Sequence, residues 1–484
     1  MTQATEETPE IIVDRRPLWI VIFDRLRRPL LLTLFFGIFT ILLNQEGPAG
    51  LTPEGYKVLC VFFLCVSLWS TNLIPLSITS LLAIALIPLL GILDASQTYS
   101  FFGNKAVFFI LGVFILSAAM IGSGLSMRLS VWVMENFGNT PGKLITCIYF
   151  FTAISSCFMS EHAVAAMMFP ILSEIVRTLG LEKGTSRFAK ALFFSMAWGC
   201  IIGGATTVLG GGRVPLAVEI LEKTTQGTTT IGILQYTQLS FPLVLFLLAC
   251  GWIVLTRLFP SDLENIEPAR KVLRRKAEAL GRLSFQEKGI AVLMVLTLFV
   301  WFGLGDQLGI ANIAILSIVL LFSINLINWK MVEPHINWAI ILMYGGAICL
   351  GEVMADSGAA LWLAQRIFQE FIQSAPVFLI TIAVLSTLFT TFMSNSAVIA
   401  ILLPPAISLC SAYGISPALA ALTVILPSNF AFILPIATPA SALAYSSRFI
   451  SIGEMVRSGT LLGLLGMVGY LLMLFLYWPA LGFK

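Results

Sequence analysis

From about residue 30 to its end the chain is a succession of apolar runs, each close to the ~20 residues that cross a bilayer core, and about eleven of them can be placed. In lipid every peptide group must find its partner inside its own segment, which leaves helices as the building material for such runs. With 58% of the 484 residues hydrophobic and 11% charged, nothing substantial is left over for a soluble domain. The expected fold is an all-α polytopic membrane protein.

The spans are expected near 30–44, 56–75, 77–93 and 105–126, then a re-entrant pair near 142–172 and spans near 190–218 and 238–257. After a polar stretch come spans near 289–304, 310–328 and 338–356, a second re-entrant pair near 376–408, and spans near 416–446 and 460–481. The corresponding organisation is a cytoplasmic N-terminus with a first span over 1–55, a first repeat over 56–258, a cytoplasmic connector over 259–288 and a second repeat over 289–484. The connector mixes Arg270, Lys271, Arg274, Arg275 and Lys276 with Glu264, Glu267 and Glu278, a pattern suited to a solvated amphipathic segment.

Of 28 Lys and Arg, this layout puts only Lys57, Lys105, Lys223, Arg366 and Lys484 outside and leaves Arg213 within the membrane. The basic excess, including Arg15, Arg16, Arg25, Arg27 and Arg28, falls inside, which orients the N-terminus to the cytoplasm and the C-terminus outward. No small-residue cleavage site follows the first apolar run, so it reads as a retained span. A net charge of +3 gives no reason to expect a nucleic acid partner. The eight cysteines lie in apolar segments without CxxC pairs, and the two histidines, His162 and His335, are too few for a His-rich metal site.

The chain also matches itself. Displaced by 234 positions, Phe158-Met159-Ser160 falls on Phe392-Met393-Ser394, Met120 on Met354, Ser123-Gly124 on Ser357-Gly358, Gly112 on Gly346 and Pro170 on Pro404. Ala205-Thr206 answers Ala437-Thr438 with the displacement shortened by two. An odd number of spans per half makes the second copy enter the membrane from the opposite side, giving inverted-topology repeats, a common plan for secondary carriers.

Two polar interruptions, Ser160-Glu161-His162 and Ser394-Asn395-Ser396, occupy equivalent places in the halves. Broken helices expose backbone groups and are found where protein or a water-filled cavity satisfies them, and their N-termini attract anions. A second pair of breaks lies at Gly203-Gly204-Ala205-Thr206-Thr207 with Gly210 to Arg213, and at Pro435-Ile436-Ala437-Thr438-Pro439, where freed carbonyls can hold a cation or small residues simply pack closely. Glu161 and Arg213 are ionisable at membrane depth, so they either pair with each other or, for Arg213, meet substrate charge. His162 either binds an anion when protonated, relays protons, or stays neutral and hydrogen-bonded.

These motifs resemble the divalent anion:sodium symporter family, over about residues 50–480. Ser394-Asn395-Ser396-Ala397 through Pro404 is similar to the family's hairpin tip, Leu434 through Pro439 to its late signature, and Tyr344-Gly345-Gly346 through Asp356-Ser357-Gly358 to the helix before the second hairpin. The resemblance implies a dimer, a moving transport domain working as an elevator, and a small divalent anion, a dicarboxylate or sulfate, held between the tips. It implies contacts to substrate or sodium from Ser160, Ser394, Asn395 and Ser396, with Thr206 and Thr438 completing the cation sites and Thr438 also near the substrate. His162 and Arg213 join the substrate candidates, and Glu161 the cation-coupling candidates, on their own chemistry. No cofactor is expected beyond sodium ions, and no enzyme activity.

Two departures stand out: Ser160-Glu161-His162 replaces the family's Ser-Asn-Thr, and Gly211-Gly212-Arg213 stands where Pro-Pro-Asn is usual. Coupling by sodium, by protons or by anion exchange therefore stays open. The other readings are a related ion transporter, for sodium against protons or for oxyanion efflux, and a membrane-embedded sensor without transport.

Overall fold

The computed structural model describes residues 18–71, 73–368 and 374–483; Arg15, Arg16, Lys484 and the side chain of Arg25 lie outside what it describes. Among the described residues every regular element is helical. The chain divides into two compact units, Met1–Glu46 and Gly47–Lys484. The first contains α1 (Leu18–Leu43), which runs unbroken through Pro29.

The second unit opens with α2 (Pro53–Thr71), α3 (Leu76–Leu89), the short α4 (Ala95–Ser100), α5 (Lys105–Gly122) and α6 (Leu125–Phe137). A hairpin follows, made of α7 (Pro141–Ser156) and α8 (Glu161–Thr178), then α9 (Arg187–Gly203), α10 (Arg213–Thr224) and α11 (Ile233–Leu258). The polar stretch forms α12 (Glu267–Leu280). Then come α13 (Phe285–Leu308), α14 (Ile310–Ser323), the single turn α15 (Trp329–Val332), α16 (Trp338–Asp356), α17 (Ala359–Phe368), and a second hairpin of α18 (Ala375–Phe392) and α19 (Asn395–Cys410). The series closes with α20 (Pro417–Ile425), α21 (Pro439–Ser446) and α22 (Ile452–Leu472).

Among the described residues nine helical stretches are long and apolar enough to cross a bilayer, and three shorter apolar ones, Leu76–Leu89, Ile310–Ser323 and Pro417–Asn429, accompany them. Both hairpins reach beyond the expected 142–172 and 376–408. Their second arms run straight through Pro170, and through Pro404 and Pro405, since a proline inside a helix removes one ladder bond that packed neighbours can tolerate.

The 234-residue register reappears in the helix boundaries. Leu76 and Ile310, Leu125 and Ala359, Pro141 and Ala375, and Glu161 and Asn395 each begin a helix and each lie 234 positions apart. The halves do not fold side by side. Helix α16 packs on α3 while its counterpart α5 packs on α14, so each half clasps the other in the same way. The second hairpin arms repeat the exchange: α8 packs against α21 and α19 against α10.

The connector is held more firmly than a solvated segment. Ala269 and Leu273 are buried, and α12 packs against α6 and α8. Lys276 pairs with Glu174 of α8 at 2.6 Å. Arg128 of α6 donates to the carbonyls of Leu280 and Gly281, each at 2.7 Å, and to Glu287 at 2.8 Å. Ahead of α12, Asp262 accepts hydrogen bonds from the amides of Arg187 and Phe188 at 2.9 Å. Burial raises that carboxyl, but the two amides and the Ser186 hydroxyl hold it below the usual carboxylate range, which fixes the start of α9.

Hairpin arm α7 and α9 touch backbone to backbone, which only glycine permits. A Cβ on Gly203 would sit 2.5 Å from the Ala153 Cα and 2.6 Å from its carbonyl carbon. Gly203→Ala should therefore cost about 1–3 kcal/mol by overpacking, read as a lowered thermal unfolding midpoint of the purified protein, whereas Gly463→Ala, at a site with open space, should not lower it.

Candidate functional site

The two tips and the two later breaks enclose one cavity of about 390 Å³, within the roughly 300–1,000 Å³ of small-molecule sites. Of the residues singled out from sequence, Ser160, Glu161, His162, Arg213, Ser394, Asn395, Ser396 and Thr438 all line it. Thr206 does not line it; it is buried in the loop behind, where its carbonyl accepts from Ser240 at 2.9 Å.

Six helices begin at the cavity wall. They are α3 at Leu76, α8 behind Ser160, α10 behind Gly212, α16 behind Asn337, α19 behind Ser394 and α21 behind Thr438. Each start carries about half a positive charge from its aligned peptide dipoles. Side chains fix several of these ends: Ser394 caps Ala397 N at 3.3 Å, Thr438 caps Ser441 N at 3.2 Å and Asn337 caps Ile340 N at 3.3 Å. Asn337 and Leu76 were not singled out from sequence. An asparagine directly before the apolar run at 338 was the N-cap signal available for the first.

At the first tip, Glu161 Oε2 lies 3.1 Å from Arg213 Nη1, with both side chains only 3–4% exposed. His162 Nδ1 is 3.8 Å from the other carboxylate oxygen. Arg213 Nε and Nη2 are buried with no hydrogen-bond partner. The glycine loop brings the arginine here: the Glu161 amide donates to the Gly210 carbonyl at 3.0 Å, and Thr207 Oγ1 donates to the Cys157 carbonyl at 2.6 Å.

The second tip is neutral. Thr390 Oγ1 lies 2.7 Å from the Ser428 carbonyl and 2.7 Å from the side-chain oxygen assigned to Asn395. One hydroxyl proton serves only one acceptor, so the Asn395 amide satisfies both contacts when turned with its nitrogen toward Thr390, leaving its oxygen free. Next along the chain, Asn429 donates to the Ile201 carbonyl of α9 at 3.0 Å, while its own side-chain oxygen is buried without a partner. Neither Thr390 nor Asn429 drew attention in the sequence, because neither falls within a break motif.

A further polar cluster lies at the far end of α10 and was also missed. Asn104 donates to buried Glu219 at 2.5 Å, Lys105 pairs with Glu222 at 2.5 Å, and Lys223 stands 4.0 Å from Glu352 of α16. These contacts tie α10 to α5 and α16.

A polytopic helical unit whose broken helices surround a polar cavity has the architecture of a membrane carrier. The sequence settles which kind: residues 25–483 match the model of the sodium:sulfate symporter transmembrane region, and the chain belongs to that family of transporters, not to an enzyme class. Among relatives, the sodium-dependent dicarboxylate transporter SdcS of Staphylococcus saprophyticus is 27% identical over 474 residues, covering 92% of this chain and 90% of that one. The SdcS of Staphylococcus aureus strain bovine RF122 is 27% identical over 468 residues, covering 91% and 89%. Among solved structures, the YdaH transporter of Alcanivorax borkumensis superposes with a TM-score of 0.53 at 16% identity over 80% of this chain and 87% of that one. MtrF of Neisseria gonorrhoeae gives 0.54 at 13% identity, over 78% and 82%. At such identities the two structures speak for the fold alone.

Thr390→Val removes the hydroxyl that joins Asn395 to Ser428. The expected outcome is a loss of about 1–3 kcal/mol from two buried polar groups left unpaired, seen as a lower unfolding midpoint of the purified protein.

Proposed function

We propose that this multi-pass protein transports a small divalent anion, a dicarboxylate or sulfate, coupled to sodium, by alternating access to the cavity between the two hairpin tips. The observation that carries this is the convergence of six helix starts on a cavity that also holds a buried arginine with unpartnered N–H groups. Apart from the Glu161 carboxylate, such a wall offers donors and positive potential, the requirement for an anion stripped of its water.

In this reading Ser160, Ser394, Ser396 and Arg213 hold the anion, with His162 at the rim. His162, Ser160 and Asn337 also line a neighbouring cavity of about 500 Å³ that runs to His335 and Trp338, a suitable path to one membrane face. Asn395 and Thr438 contribute to a sodium site at the second tip. The names of the staphylococcal relatives, sodium-dependent dicarboxylate transporters, support both the ion and the substrate class.

The wider arrangement follows the same reading: two inverted repeats over 56–258 and 289–484 joined by a cytoplasmic connector, a cytoplasmic N-terminus, an outward C-terminus, a bacterial inner membrane and a homodimer whose transport parts move as elevators. The interlocked packing of α3 with α16 and α5 with α14 supports the repeat assignment, since equivalent pairs are what a two-fold axis in the membrane plane generates.

Purified protein in liposomes should accumulate labelled succinate or sulfate under an inward sodium gradient and not under choline. Arg213→Gln should lower the initial rate by at least about tenfold, the worth of one charge-assisted hydrogen bond to a buried anion. Equal uptake with and without sodium would sink the coupling, and no uptake of either anion would sink the substrate class.

A further inference from the structure

The two tips begin equivalent helices 234 positions apart, yet they present opposite chemistry to one cavity. The second tip is neutral: Asn395 lines the cavity, and behind it Thr390 contacts both Asn395 and the Ser428 carbonyl, next to Asn429 with its partner-free side-chain oxygen. At the first tip the residue equivalent to Asn395 is Glu161, and it is committed to Arg213.

Two glycines lie against that ion pair. A Cβ on Gly211 would lie 2.8 Å from Arg213 Nη1, and one on Gly204 would lie 3.1 Å from Glu161 Oε2. Glycine therefore stands where a side chain would crowd either partner. Arg213 lines the cavity; Glu161 stands nearest its Nη1, and Nε, Nη2 and Glu161 Oε2 are all buried without a hydrogen-bond partner, so the pair is not saturated by the protein.

We propose that Arg213, anchored by Glu161, is the fixed cation of the first half: it contacts the transported anion directly and leaves no cation site there, so any coupling cation binds in the second half alone. The inference rests on the anion-carrier reading above. A guanidinium already supplies the positive charge that a bound sodium would bring, and it repels a second cation at the same distance from Glu161. Glu161 then acts as a competitor. It holds Arg213 in place when the cavity is empty and shares it with the anion when the cavity is filled.

The test is binding of labelled succinate and sulfate to the purified full-length protein across a sodium titration, with choline as replacement. A sodium Hill coefficient of about one or below is expected for wild type, unchanged in Glu161→Gln. Glu161→Gln should bind the anion about tenfold more tightly, because the competitor for Arg213 is gone. Arg213→Gln leaves a buried carboxylate uncompensated, so the double variant Glu161→Gln/Arg213→Gln is measured beside it and should bind at least about tenfold more weakly than wild type. A Hill coefficient near two that falls to about one in Glu161→Gln would overturn the inference, placing a cation on Glu161. A double variant that binds as wild type does would overturn it too, reducing the pair to a structural brace. Wild type that binds neither anion at any sodium concentration would instead remove the carrier reading on which the inference stands.

Discussion

The architecture turns on one obligation: a peptide group taken out of water must be hydrogen-bonded, and this protein interrupts four helices where lipid offers nothing. The interruptions of the first half are closed by other parts of the chain. The carbonyls of Ala205 and Thr206 accept from Tyr236 and Ser240 of α11, the Gly210 carbonyl accepts from the first hairpin tip, and Asn429, ahead of the second break, reaches the Ile201 carbonyl in α9. Most of these bonds are made within the first half, and Asn429 adds one from the second, so the two halves meet at the polar centre.

Much of this was legible in the sequence. The 234-residue register located both hairpins, because a tip needs small polar residues and the flanking arms need apolar ones, and that contrast survives in composition. Ser160 and Ser394 stand directly ahead of the second hairpin arms, and eight of the nine candidate site residues share one cavity. The break at Gly203 to Arg213 was likewise visible from its glycines. What stayed hidden was non-local. Nothing in a linear reading says that α8 seeks α21 or that α16 seeks α3, since all four look alike as apolar helices. Thr390, Asn429 and the Asn104–Glu219 contact were hidden for a related reason: a single polar residue inside an apolar run gains meaning only from the partner that folding brings to it.

The departure at the first tip shows how a repeat can keep its geometry and change its electrostatics. The backbone of the tip needs only an N-cap and a residue able to begin a helix, requirements that Glu161 meets as well as an asparagine would. Its carboxylate also sits favourably at the positive end of α8. Placing Arg213 at the start of α10 is the less favourable choice, a positive charge at a positive helix end, and Glu161 offsets it. The two substitutions therefore make sense together and not singly.

The clasp between the halves also has a consequence for how the protein is made. When α8 has left the ribosome, its packing partner α21 still lies more than two hundred residues ahead, which at ordinary elongation rates means on the order of tens of seconds. Throughout that interval the first tip, with its glutamate and arginine, is a half-built polar surface at membrane depth. Insertion machinery or a water-filled pocket has to shelter it until α21, beyond the second hairpin, arrives, so the cavity is completed only late in synthesis.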